Sequence, residues 1–224
     1  ALMLALGKRI CGLDGLVERT ALEAAGYSIR PRAPGLIGYS NFARVAGLKT
    51  LFGATLGIVG LCEVGREIAG RAKAFGMTTL YFQRRPLSVA DEEALGAHYC
   101  ALDDLMARSD YIVVQLPMND STRGIIGFAA LRAVKPGAFV INCARPELID
   151  RDALIEALER GRLGGLALDV GYEEPARADD PLLKYRRSGN VILMPHTAIA
   201  ARENALSDLE RLCMNLWRGI VRGA

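Results

Sequence analysis

The chain has 224 residues, of which 51% are apolar and 24% charged, with a formal charge of +3. That length holds one α/β domain, or one domain and part of a second, and the composition excludes a disordered chain. The small charge, spread over interleaved acids and bases, excludes a nucleic-acid-binding surface, and no apolar run reaches the length of a membrane span.

In chain order, the opening ALMLALGKRI places its charges after its apolar run, and no small-residue cleavage site follows. This argues against a secretory leader and for the end of an amphipathic helix. Residues 27–50 carry two prolines and several glycines without periodicity, and read as a long connection. Regular elements begin after it. ATLGIVGL (54–61) is a short buried strand, and EVGREIAGRAKAFG (63–76) is a helix with Val64, Ile68 and Ala72 on one face. MTTLYF (77–82) is a strand, LDDLMARSD (102–110) a short helix, and YIVVQLP (111–117) a strand. FAALRAVKPG (128–137) is a helix closed by Pro-Gly, and AFVINCA (138–144) a strand. RDALIEALERGRL (151–163) is a helix that Asp150 can cap. GGLALDV (164–170) and NVILMPH (190–196) are the last strands, and 200–220 a long final helix.

Apolar strands alternating with helices predict a doubly wound parallel sheet of the Rossmann type, covered on both faces. Ligands of such sheets bind at the carboxyl ends of the strands. Cys62, Gln83, Pro117, Arg145, Asp169 and His196 all fall just past those ends. The five cysteines (11, 62, 100, 143 and 213) show no CxxC or CxxH spacing, which argues against a disulfide framework and a zinc site and for reduced thiols in the cytoplasm.

GIVGLCEVG (57–65) keeps the outer glycines of a dinucleotide-binding GxGxxG, Gly60 and Gly65, between a strand and a helix. Gly60 permits the tight turn, and Gly65 the close helix packing. Cys62 replaces the middle glycine and puts a side chain where backbone usually meets pyrophosphate. The helix dipole and free amides at Cys62, Glu63 and Val64 still favour an anion. About twenty residues on, the position that would carry an acid for NAD is Gln83, followed by Arg84 and Arg85. Without a carboxylate to repel a 2′-phosphate, and with two guanidinium groups to grip one, the segment favours NADP(H) over NAD.

Four segments in order, GIVGLCEVG, INCARPELID, LALDVGYEEP and MPHTA, together with ARSDYIVVQLPMNDSTRGIIG, resemble the D-isomer-specific 2-hydroxyacid dehydrogenases. The resemblance implies hydride transfer between NAD(P)H and a small 2-oxo acid. By it, Arg145 binds and polarises the substrate, His196 is the general acid/base, and Glu174 is its partner. It also places Leu116, Pro117, Cys143, Ala144, Asp169 and Ala198 at the cofactor, Asp169 holding the nicotinamide carboxamide. Each assignment suits its chemistry. An imidazole titrating near neutrality can protonate the developing alkoxide, a carboxylate steadies the imidazolium, and a guanidinium clamps a carboxylate. Pro146 departs from the family's usual glycine and biases Arg145 toward extended backbone.

The resemblance divides the chain into a linking helix and connection (1–50), a dinucleotide-binding domain (51–196) and a returning helix (197–224). Most of the substrate-side domain of such enzymes is then absent from the chain, and a homodimer is expected. Two other classes stay open: a dinucleotide-sensing binding module of the corepressor kind, and an inactive truncated remnant.

Overall fold

The computed structural model describes residues 1–29, 41–188, 190–198 and 202–222. Much of the predicted connection, residues 30–40, lies outside them. Seven strands form the sheet: β1 (Thr55–Val59), β2 (Thr78–Phe82), β3 (Ala97–Tyr99), β4 (Tyr111–Val114), β5 (Ala138–Asn142), β6 (Leu163–Leu168) and β7 (Val191–Leu193). Their order is β3-β2-β1-β4-β5-β6-β7, and every pairing is parallel. The order reverses between β1 and β4, which makes their carboxyl ends the switch point of the sheet.

The helices of the described residues are α1 (Leu2–Gly7), α2 (Ile10–Leu13), α3 (Arg19–Ala24), α4 (Glu63–Ala74), α5 (Val89–Leu95), α6 (Leu102–Arg108), α7 (Phe128–Ala133), α8 (Arg151–Glu159), α9 (Tyr185–Ser188) and α10 (Arg202–Arg222). Alternate strand residues point to opposite faces. On one face Ile112, Val114, Val140 and Leu168 pack with Leu105 of α6, Leu131 of α7 and Leu154 of α8. On the other, Ile58, Tyr81, Val113, Phe139 and Ile141 pack with Leu6 of α1 and with Ala69 and Ala72 of α4. Both faces are covered, so the strands are apolar throughout rather than alternating.

Local chemistry sets the element ends. Asp150 Oδ1 accepts the Ala153 N–H at 2.8 Å, the predicted cap, a contact worth about 1 kcal/mol. Helix α1 is tied in by Asn190, whose Nδ2 donates to the Leu6 carbonyl at 2.8 Å.

The buried face of α4 differs from the one read in the sequence. Gly65, Ala69 and Ala72 face the sheet, while Val64 is 54% exposed. The reason is close approach: a Cβ on Gly65 would sit 2.6 Å from the Gly60 carbonyl oxygen, so only the stripe of small residues fits against the sheet. Val64 turns instead toward α10, and Ile68 packs at the edge of the core below it; α10 spans a groove above α4 and pairs Arg211 with Glu63 at 3.3 Å. Beyond that groove α10 exposes Leu209, Leu216 and Trp217.

Candidate active site at the carboxyl edge of the sheet

The last residues of six strands lie in one register: Phe82, Val59, Val114, Asn142, Leu168 and Leu193. The next residue of each strand therefore joins a row along the carboxyl edge: Gln83, Gly60, Gln115, Cys143, Asp169 and Met194. From Gly60 to Asp169 that row crosses three strand spacings, about 14 Å. Register alone thus gathers the predicted glycine loop, acceptor position and catalytic segments on one side of the molecule.

At the switch point Gly60 has φ +102°, and a Cβ there would lie 2.7 Å from the backbone of Gln115 and Leu116. Only glycine allows this turn to sit against the end of β4. Cys62 has an ordinary extended backbone (φ −69°, ψ −173°), so its position does not demand glycine conformationally. Its thiol instead reaches across the crevice and donates to the Gln115 carbonyl, with Sγ and oxygen 3.3 Å apart. No side chain caps α4, and the first amides of a helix lack intrahelical acceptors. The amides of Glu63, Val64 and Gly65 therefore form an anion cradle at the positive end of a twelve-residue helix. Glycine loop, uncapped helix end and crevice fit a dinucleotide pyrophosphate, with the Cys62 side chain bridging the crevice.

Past β2, Gln83 Nε2 donates to the Arg85 carbonyl at 2.6 Å, and Arg84 and Arg85 are exposed. Past β4, Leu116 is half-buried and Pro117 exposed, its carbonyl accepting from Thr122 Oγ1 at 2.8 Å.

Past β5, Asn142 organises the arginine segment. It is fully buried; its Oδ1 accepts the Ala144 N–H at 2.9 Å, and its Nδ2 donates to the Arg145 carbonyl at 2.8 Å. Arg145 takes the extended backbone expected ahead of Pro146 (φ −139°, ψ 138°). Pro146 opens a short 3-10 turn at its first position, where its missing N–H costs nothing. The Arg145 side chain is exposed, with Nη1 donating to the Ala144 carbonyl at 2.7 Å. Cys143 is half-buried, and burial, with the Asp169 charge, pushes its thiol up to about 11.

Past β6 and β7, Asp169 is 2% exposed and binds the segment after His196. Its Oδ1 accepts the Thr197 N–H at 3.0 Å and its Oδ2 the Ala198 N–H at 2.8 Å. His196 itself has φ +55°, a left-handed conformation rare in non-glycine residues and costing about 1–3 kcal/mol. The Asp169 clamp on the next two amides holds it there. His196 Nδ1 lies 3.0 and 3.1 Å from the two Glu174 oxygens, and Glu174 Oε1 also accepts the Gly171 N–H at 2.9 Å. The histidine bond, then the Gly171 amide, outweigh burial and, with smaller help from the His196 and Arg145 charges, hold the Glu174 carboxyl below its ordinary range. An ionised carboxylate only accepts, so Nδ1 is the protonated ring nitrogen and Nε2 is left for proton exchange. A cavity of about 550 Å³ adjoins the pair, walled by Leu168, Val170, Tyr172, Leu193 and Met194.

Residues 1–198 match the family model described as D-isomer specific 2-hydroxyacid dehydrogenase, NAD binding domain. The chain belongs to the D-isomer-specific 2-hydroxyacid dehydrogenase family. Relatives within the family include a glyoxylate reductase of Korarchaeum cryptofilum, 34% identical over 216 residues (96% of this chain and 59% of that protein). A glyoxylate/hydroxypyruvate reductase B of Cronobacter sakazakii is 43% identical over 150 residues (66% and 45%). Among solved structures, a glyoxylate reductase from Paecilomyes thermophila superimposes with a TM-score of 0.74 at 33% identity, covering 99% of this chain and 60% of that one. The apo D-mandelate dehydrogenase of Rhodotorula graminis gives 0.77 at 27% identity, covering 97% and 59%. The chain thus spans about 60% or less of the length of these dehydrogenases.

The structure brings Glu174 and His196 into contact, while Arg145 stands past the neighbouring strand β5 with its guanidinium on the Ala144 carbonyl. It separates Gln83, Arg84 and Arg85 from them, on the far side of β1. Asn142, Gly171 and Thr197 support the site but are absent from the sequence reading. The one available signal was a lone asparagine ending the apolar run AFVIN, just ahead of the arginine. Among the described residues, no group of His, Cys, Asp or Glu is placed to hold a metal ion, and no helix is long and apolar enough to cross a membrane.

Proposed function

We propose that this chain is the cofactor-binding part of an NAD(P)-dependent D-2-hydroxyacid dehydrogenase acting on a small 2-oxo acid. The observation that carries the reading is the His196–Glu174 contact. When bound, the reduced nicotinamide supplies a hydride. The chain's own side chains do the rest: Arg145 clamps the substrate carboxylate and polarises the carbonyl, His196 Nε2 delivers the proton to its oxygen, and Glu174 stabilises the imidazolium. Asp169 keeps His196 aimed and has lone pairs left for a carboxamide N–H beside Cys143, Ala144 and Ala198.

The cofactor favoured is NADP(H), supported by Gln83 in the acidic position and the exposed Arg84 and Arg85. The protein acts as a cytoplasmic homodimer in this reading. The free cysteines and the apolar residues that α10 turns outward support it, and sedimentation tests the dimer.

The test is twofold. Fluorescence titration with NADPH and NADH reads binding, and turnover of glyoxylate and hydroxypyruvate reads chemistry. Tight binding with no turnover by the protein carrying this chain marks a sensing module instead, and binding of neither cofactor marks a remnant.

A further inference from the structure

Residues 83–87 join β2 to the segment capping α5 and carry Gln83, Arg84 and Arg85. The near end of this turn is fixed by the Phe82 carbonyl, which accepts the Gly60 N–H at 2.8 Å. The far end is held from beneath. The fully buried Tyr81 hydroxyl accepts the Leu87 N–H at 2.8 Å and donates to Glu92 Oε1 at 2.7 Å. The same Glu92 oxygen accepts the Tyr99 N–H at 3.0 Å, and the Tyr81 ring packs edge-on to Tyr99 with centroids 5.7 Å apart. One phenol thus joins β2, β3, α5 and the turn. The bridge between Gln83 and Arg85 within the turn does not reach Leu87.

We propose that Tyr81 and Glu92 are positioning residues for cofactor choice: they hold the Gln83–Arg85 turn in the shape that grips a ribose 2′-phosphate. The proposal rests on the reading of that turn as the phosphate side. Guanidinium–phosphate bonds are directional, so a slackened turn loses them, whereas a cofactor ending in a plain 2′-hydroxyl makes no such bonds and is indifferent. Phenylalanine would fill the same space as Tyr81 and lose both hydrogen bonds.

The test is binding, by fluorescence titration of the wild-type chain, Tyr81→Phe, Glu92→Ala and Glu92→Gln with NADPH and with NADH. Wild type binds NADPH more tightly. Tyr81→Phe and Glu92→Ala weaken NADPH about fivefold, the loss of one hydrogen-bonded contact, and leave NADH within about twofold. Glu92→Gln, whose amide oxygen still accepts both bonds, keeps the wild-type preference. Equal weakening of both cofactors, or an unchanged preference in Glu92→Ala, overturns the clamp and leaves the NADP(H) reading standing. A wild type with no preference for NADPH overturns that reading and the clamp with it. Glu92 is partly exposed, so Glu92→Ala decides the matter even where Tyr81→Phe does not fold.

Discussion

His196 Nδ1 sits between the two Glu174 oxygens, 3.0 and 3.1 Å away, although the residues come from different loops 22 positions apart. The bond fixes the imidazole tautomer and aims the ring, and Glu174→Gln keeps the shape while removing the charge. Reduction of glyoxylate by this variant should slow by about tenfold to a hundredfold, with NADPH affinity unchanged. Steady-state kinetics beside a cofactor titration check this; equal losses in both would place Glu174 in binding rather than proton transfer.

Asn142 holds the backbone on both sides of the Arg145 side chain. Asn142→Ala frees that segment and removes two part-buried hydrogen bonds, at a cost of about 1–3 kcal/mol. The KM for the 2-oxo acid should rise by about tenfold while the cofactor dissociation constant stays put. A rise in the cofactor constant alone would contradict the assignment of Arg145 to substrate.

The Cys62 thiol bridges the crevice that a dinucleotide must cross. Cys62→Gly should therefore tighten NADPH binding by about tenfold, or about 1.4 kcal/mol. In the parent protein NADPH should protect the exposed Cys62 from alkylation. Cys143 should resist labelling at about pH 8 with or without cofactor, because burial, with the Asp169 charge, pushes its thiol up to about 11 and so leaves little thiolate. Mass-spectrometric mapping reads both sites. An unprotected Cys62, or a glycine variant that binds no tighter, would remove the thiol from the cofactor path.

How far this site was legible in the sequence depends on which interactions are local. The Asp150 cap and the Gly60 turn are local, and both could be read directly. The pairing of Glu174 with His196 is not local; it is implied by the resemblance to the family, which rests on the order of the motifs. The shared face read for Val64, Ile68 and Ala72 holds for Ala72 and Ile68 but not for Val64, because packing distance brings Gly65, Ala69 and Ala72 closest to the sheet. Helix α5 and strand β3 went unread because SVADEEALGAHYC offers little apolar periodicity; they are held by Tyr81 and Glu92 from neighbouring elements. Asn142 bonds only backbone groups, which no side-chain motif records.

Asp110 gives a pH test of the frame beneath the site. Burial pulls its carboxyl up, but the Lys135 bond at 2.8 Å, the Thr55 N–H and the charges of Lys135 and Lys49 together hold it below 3.8. A depressed value in the fold means stabilisation that is present above the unfolded value and lost as pH falls through the folded one. Asp110→Asn should cost about 2 kcal/mol near neutral pH, and the gap to the parent should close as pH falls below the ordinary carboxylate range. Urea midpoints across that range measure it; a gap independent of pH would refute the ionic contribution.

The central claim is that Glu174 and His196 act as one unit in moving a proton. Its most direct test is a double-mutant cycle on kcat/KM for a 2-oxo acid, with Glu174→Gln, His196→Gln and the pair. Residues acting as a unit are not additive, so the double variant should lose no more activity than His196→Gln alone. Losses that multiply independently would contradict the account.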